Sequence, residues 1–204
     1  MAALVLMAGP ARAAYGAAPH SLENAQGMSP SNVRAVTGWI IASGDNLELP
    51  FLIVDKVHAQ VLAFAPDGSP RGSAAILIGL TPGDATPADI GQRKLAQIGP
   101  KDRITPAGRF LSAIGNDLGT KDVLWIDYPA GLSMHRVVHG APTDHRRKRL
   151  ASGKLSDKRI SYGCINVPAA FFDKVIDPLL KGGNAMVYIL PETKSWEAIL
   201  KPTS

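Results

Sequence analysis

"GRFLSAIGNDLGTKDVLWIDYPAGLSMHRVV", residues 108–138, holds three short segments of strand character. "GRFLSAIG", "DVLWIDY" and "LSMHRVV" are rich in branched and aromatic residues, and Gly, Asn and Pro turns separate them. Upstream the pattern repeats. "PFLIVDK" is a short apolar run, "HAQVLAFA" a neighbouring strand, "PDGSPRG" a turn and "SAAILIGL" a returning strand. From Thr81 to Arg103 the composition turns to Gly, Pro and Asp, which predicts an irregular loop. Short strands in succession predict a mainly β fold with a few helices.

The helices are expected at the two ends. Ser29-Pro30 offers an N-cap and a proline at the first helical position, and Gly44 closes the segment. Val33, Val36, Trp39 and Ile40 fall between them at helical spacing, so residues 29–44 form a helix packed on the main domain. Residues 14–28 are small and polar and read as a linker. Near the other end Pro168 opens a helix with Phe171, Phe172, Val175 and Ile176 on one face. Pro178 kinks or ends it, because the ring removes a backbone donor. Gly182-Gly183 then turns the chain into a last strand, "NAMVYIL", and a short helix around Trp196 follows.

A length of 204 residues with 46% hydrophobic side chains suits one domain whose core needs no disulfides. No apolar run reaches the length of a membrane span. The net charge of +5 favours anionic surroundings. Residues 144–159 form the dense charge run, and Arg146, Arg147, Lys148 and Arg149 are read first as a solvated face. No aromatic residue interleaves with them, so nucleic acid is not an expected partner. At the N-terminus, residues 2–8 are apolar and Ala11-Arg12-Ala13 fits a signal-peptidase site, though the preceding basic region is missing. Residues 1–13 therefore read as an export signal truncated at its start, the alternative being an Ala-rich start on a cytosolic chain. Export would place the chain in the periplasm or outside the cell, where an unpaired cysteine stands out.

Cys164, in "ISYGCINV" (residues 160–167), is the single cysteine of the sequence. A thiol attacks carbon as thiolate, so a nucleophilic role calls for a base or a positive field. Gly163 would let the backbone turn and aim amide N–H groups at a developing oxyanion. A helix start just after Cys164 would add an electropositive field. The plainer alternative is a buried cysteine acting as a small hydrophobe. Among the five histidines, His20 lies in the linker, His58 at a turn and His145 in the basic run. His135 and His139 belong to "LSMHRVVHG", where Leu132, Met134 and Arg136 share one strand face and Ser133, His135 and Val137 the other. A strand ending beside the thiol loop would bring His135 within hydrogen-bond reach. One cysteine and two histidines four apart on a strand make no metal spacing, and no cofactor is expected.

"SMHRVVHG … ISYGCINV" resembles the catalytic signature of the L,D-transpeptidases, the YkuD-type domain of bacterial cell-wall enzymes. "FLIVDKVHAQVLAFAPDGSPRGSAAILIGL" is similar to the family's opening strands, "RITPAGRF" to its Thr-Pro-x-Gly-x-Phe segment, and "FFDKVIDPLLKGGNAMVYIL" to its closing helix, turn and strand. The resemblance runs over residues 50–191 and leaves 192–204 as a tail. It implies sandwich-like mixed sheets with a helix after the cysteine. It also implies Cys164 as nucleophile, His135 as general base and acid, and Gly163 as an oxyanion donor through its backbone N–H. Ser161 would orient the loop or His135, Asn166 bind substrate or brace the turn, and His139 assist.

Two departures stand out. Tyr162 occupies a position that is histidine in many members, which removes a side-chain contact to the oxyanion. The gap of 29 positions from His135 to Cys164 exceeds the common spacing, and residues 144–159 account for the excess as an enlarged lid, whose cations, as the alternative to a solvated face, would meet stem-peptide carboxylates or other wall anions. The resemblance implies peptidoglycan stem peptides as donors, with a second stem or a wall-anchored protein as acceptor. The alternatives are hydrolysis of the same acyl-enzyme, an L,D-carboxypeptidase, or a wall-binding protein without chemistry.

Overall fold

The computed structural model describes residues 30–117, 122–138 and 141–201. The expected export signal, the linker and the Ser29 cap lie outside the described residues. The fold is mainly β. Its strands are β1 (Phe51–Asp55), β2 (Gln60–Phe64), β3 (Pro70–Ala75), β4 (Ile78–Gly79), β5 (Gly108–Gly115), β6 (Val123–Asp127), β7 (Leu132–Arg136), β8 (Arg159–Ser161), β9 (Ile165–Val167) and β10 (Asn184–Ile189). Eight of them make one mixed sheet in the order β3-β2-β1-β10-β5-β6-β7-β9, while β4 and β8 pair separately and in parallel.

The large sheet curls around one core. Leu52 and Val54 of β1, Leu124 and Ile126 of β6, and Ile165 and Val167 of β9 all belong to the same buried cluster. An antiparallel bridge between Leu77 and Asn166 joins the chain beyond β3 to β9, so the two ends of the sheet meet. The sandwich-like layers are thus one sheet folded back on itself. Phe51, Ile53, Leu62 and Tyr188 point the other way, into a second cluster that also takes residues of helices α1 (Pro30–Ser43) and α5 (Trp196–Leu200). Burial on both faces explains why "FLIVD" shows no alternation. Each such side chain contributes about 1.5–3 kcal/mol. In α1, Val33, Val36 and Ile40 are the buried stripe, spaced three and four apart.

One expectation needs correction and another is narrowed. "SAAILIGL" is not one strand: β3 stops at Ala75 and β4 starts at Ile78. Between them the Ile76 N–H donates to Ala59 O and the Leu77 N–H to Asn166 O, so the chain changes partners while staying buried. Of the two outcomes expected at Pro178, a kink or an end, the end does not occur. α3 (Ala169–Phe171) runs through a π turn (Phe172–Ile176) into α4 (Asp177–Leu180). The wide turn just ahead of Pro178 accommodates its missing donor. Phe171, Phe172 and Ile176 pack into the main core as their spacing predicts.

The stretch 81–103 is irregular, with one-turn segments at Ile90–Gln92, Leu95–Gln97 and Pro100–Asp102. Ile90 and Ile98 are buried anchors, and Arg93 bridges Asp89 at 2.7 Å and Asp102 at 3.0 Å.

Candidate active site

Tyr162, Gly163 and Cys164 form the tight connection between β8 and β9. The backbone behind it is packed closely: a Cβ on Gly79 of β4 would lie 2.6 Å from the Thr105 nitrogen. Thr105, almost fully buried, accepts the Gly79 N–H at 2.8 Å and donates its hydroxyl to Gly163 O at 2.7 Å. Gly163 sits at φ +139°, where a Cβ would fall 2.8 Å from Ile104 O, so glycine is required. Its N–H donates to Ser161 Oγ at 3.1 Å. That bond competes with the expected oxyanion role, because the Gly163 amide already donates to the buried Ser161 hydroxyl. Ser161 Oγ thus bonds within the loop that carries the thiol.

A correction concerns the field at the thiol. Strand β9 follows Cys164, and helix begins only at Ala169, so no helix terminus acts on the sulfur. Neighbouring side chains do. Cys164 is half-buried. Its Sγ receives Ser133 Oγ at 3.6 Å and lies 3.5 Å from Gly131 O, with the Ser133 N–H and the His135 imidazole also interacting with it. Burial pushes the thiol up, but the bonds from His135 and Ser133 outweigh it and hold the pKa below the ordinary value.

The parallel register of β7 and β9 sets His135 against Asn166. His135 Nδ1 lies 2.8 Å from Arg136 O, which assigns the proton to Nδ1 and leaves a lone pair on Nε2. Burial alone would push the imidazole down; the Cys164 sulfur and the Arg136 carbonyl outweigh it and raise its pKa. Both shifts favour the same pair, thiolate beside imidazolium.

Asn166 is fully buried. Its Nδ2 lies 3.4 Å from His135 Nε2 and 3.5 Å from Cys164 O, while its Oδ1 accepts Arg146 Nη1 at 2.9 Å. It braces the turn and offers no surface to a substrate. Arg146 starts α2 (Arg146–Ala151), inside the basic run. The solvated-face expectation holds for the exposed Arg147 and Lys148 only. Arg146 also contacts Asp144 at 3.0 Å, Arg149 donates to Asp144 O at 2.9 Å, and buried Lys158 donates to Arg149 O and Leu150 O at 3.1 and 2.7 Å.

On the other side of the sulfur is an apolar cleft of about 80 Å³, lined by Ile90, Leu95, Ile98, Ile104 and Tyr162 and ending at Cys164. The Arg103 guanidinium lies 3.9 Å from the centre of the Tyr162 ring, which fixes that wall. Behind the cleft, fully buried Lys56 joins Asp84 at 2.9 Å, Thr105 O at 2.9 Å and Glu192 at 3.5 Å, and Glu192 also binds Arg159. Burial raises the Asp84 carboxyl, yet bonds from Thr193, the Glu192 amide and Lys56 hold it well below the carboxylate range.

His58 pairs with Asp55 at 2.7 Å at the end of β1, and His145 is exposed in the basic segment. His20 and His139 lie outside the described residues. No group of His, Cys, Asp and Glu among the described residues could hold a metal ion, and no described helix is long and apolar enough to cross a membrane. Sequence reasoning missed Ser133, Thr105 and Arg146 as contributors. Ser133 was findable from its place two residues from His135 on the same strand face. Thr105 appeared only as part of "RITPAGRF", and Arg146 only as one cation of the basic run.

The arrangement is a mainly β scaffold that holds one thiol between a serine and a histidine at the mouth of a cleft, a set of groups suited to acyl transfer. No family model matches the chain, and no curated protein does. Among solved structures it is similar to the L,D-transpeptidase (residues 123-326) from Xylanimonas cellulosilytica DSM 15894, at 15% identity and a TM-score of 0.36. The similarity covers 69% of this chain and 60% of that one, so the chain spans less than two thirds of that structure.

Proposed function

We propose that the chain is a cysteine-dependent acyltransferase of the L,D-transpeptidase type, acting in the periplasm or outside the cell on peptidoglycan stem peptides. The observation that carries this reading is the Cys164 sulfur held between Ser133 and His135 at the end of an open cleft. The signature around His135 and Cys164 supplies the substrate class.

In the proposed reaction His135 Nε2 takes the thiol proton as Sγ bonds to the carbonyl carbon that precedes the terminal D-alanine of a stem tetrapeptide. The oxyanion is assigned to the Cys164 N–H, since that of Gly163 is spent on Ser161. The carbon–nitrogen bond breaks, His135 returns the proton to the leaving amine, and a thioester remains. An amine of a second stem or of a wall-anchored protein attacks the thioester and passes its proton to His135, and the thiolate departs.

Incubation with a disaccharide-tetrapeptide tests the proposal. Cross-linked dimer with release of D-alanine supports it. Tripeptide plus D-alanine replaces it with the carboxypeptidase, and an unchanged substrate leaves the wall-binding protein. Cys164→Ala is expected to abolish turnover. His135→Ala is expected to lower it by about 10² or more.

A further inference from the structure

A second opening is linked to the catalytic pair through Arg146 and Asn166. The apolar cleft lies by the start of β7, at Gly131 and Leu132; the other opening lies past its end, at Val138. It measures about 410 Å³. Its polar lining is His145, Arg146, Arg147 and Lys148, and none of its described lining residues is acidic. The neighbouring acid, Asp144, is engaged by Arg146 Nε. Arg147 and Lys148 make no ion pair among the described residues, so their charge is uncompensated.

We propose that this opening is a subsite for a carboxylate of the peptide substrate, and that Arg146 joins it to the catalytic pair. The inference rests on the function proposed above, which supplies a peptide with free carboxylates. A concave wall of one sign raises the local concentration of counter-charged ligand. A guanidinium offers more donors than the two that Arg146 spends on Asp144 and Asn166. Occupancy would reach the chemistry through Asn166, whose amide lies between Arg146 and His135. The groups facing His135 are the Cys164 sulfur and the Asn166 amide on the β9 side, Arg146 from α2, and the Arg136 carbonyl of its own strand. Of these Arg146 weighs against protonating the imidazole, and a bound carboxylate would offset that charge. Residues 144–159 would thus act as a recognition element.

The test uses the full chain carrying Cys164→Ala, so that binding is read without turnover. Its probes are the stem tetrapeptide with free carboxylates and the same peptide with every carboxylate amidated, titrated by calorimetry. R147Q/K148Q is expected to weaken binding of the free peptide by roughly fivefold to tenfold, and of the amidated peptide by less than about twofold. A charge-matched change at two exposed positions of β3 and the π turn, R71Q/K174Q, should weaken neither. R146K keeps the charge but loses the fork, and is expected to weaken the free peptide less than R146Q does. If the double variant does not fold, Lys148→Gln alone carries the comparison. Equal affinity of the two peptides, or equal loss for both in R147Q/K148Q, would overturn the subsite. Carboxylate-dependent binding without turnover in the unmodified chain would sink the transpeptidase reading and keep the subsite; turnover with carboxylate-independent binding would do the reverse.

Discussion

Two connecting stretches flank Cys164, and they are built by opposite means. Residues 81–103 are fixed by apolar anchors, Ile90 and Ile98, and by the buried Lys56 network at their start. Residues 144–159 bury little: Arg149 and Lys158 hold the segment by donating to its own backbone carbonyls. The first presents an apolar cleft to the sulfur, the second a row of cations. A connecting stretch can therefore be part of the core or a strap over it, and the difference lies in which groups it removes from water.

The comparison makes graded claims about stability. Lys56→Met should have the largest effect, because it leaves Asp84 buried without its cation and Glu192 with Arg159 alone; a loss of about 3–5 kcal/mol in denaturant unfolding is expected. Asp84 has a depressed pKa in the folded state, so its contribution is present above the unfolded carboxylate value of about 3.9 and is lost as the pH falls below it. The deficit of the variant should accordingly be largest above that value and shrink as the pH falls and Asp84 takes up its proton. Ile98→Ala, an anchor of the first stretch, is expected to cost about 2–4 kcal/mol. No residue of the second stretch should match either value. A cost as large for Lys158→Met would erase the contrast.

Thr105→Val sharpens the link between the first stretch and the thiol. It removes the bonds to Gly163 O and the Gly79 N–H inside the fold, for about 1–3 kcal/mol, and should slow acylation of Cys164 more than its stability loss explains. Smallest of all, Asp89→Ala breaks an exposed ion pair with Arg93, and the melting temperature should not move measurably.

Much of this was legible in the sequence. Strand parity alone set Ser133 and His135 on one face, and the apolar runs placed the strands and the two-faced core. The split of "SAAILIGL" was hidden because an unbroken apolar run looks the same with one partner as with two. The committed Gly163 amide was hidden differently: Ser161 two residues earlier is a short-range acceptor, and turn chemistry competes with any catalytic use of that N–H. The contact between Arg146 and Asn166 spans 20 positions through a segment with no periodic pattern, and only the folded chain reveals it.

The central claim is that His135 and Ser133 lower the pKa of a Cys164 thiol that is open to reagents. Its most direct test is the rate of alkylation of Cys164 by iodoacetamide as a function of pH, in the unmodified chain and in His135→Gln. Because the thiol pKa is lowered, thiolate persists to lower pH: half-maximal rate is predicted below the ordinary thiol value of about 8.5, with His135→Gln moving the midpoint upward. A midpoint at or above that of a free thiol, or one that His135→Gln leaves in place, would contradict the account.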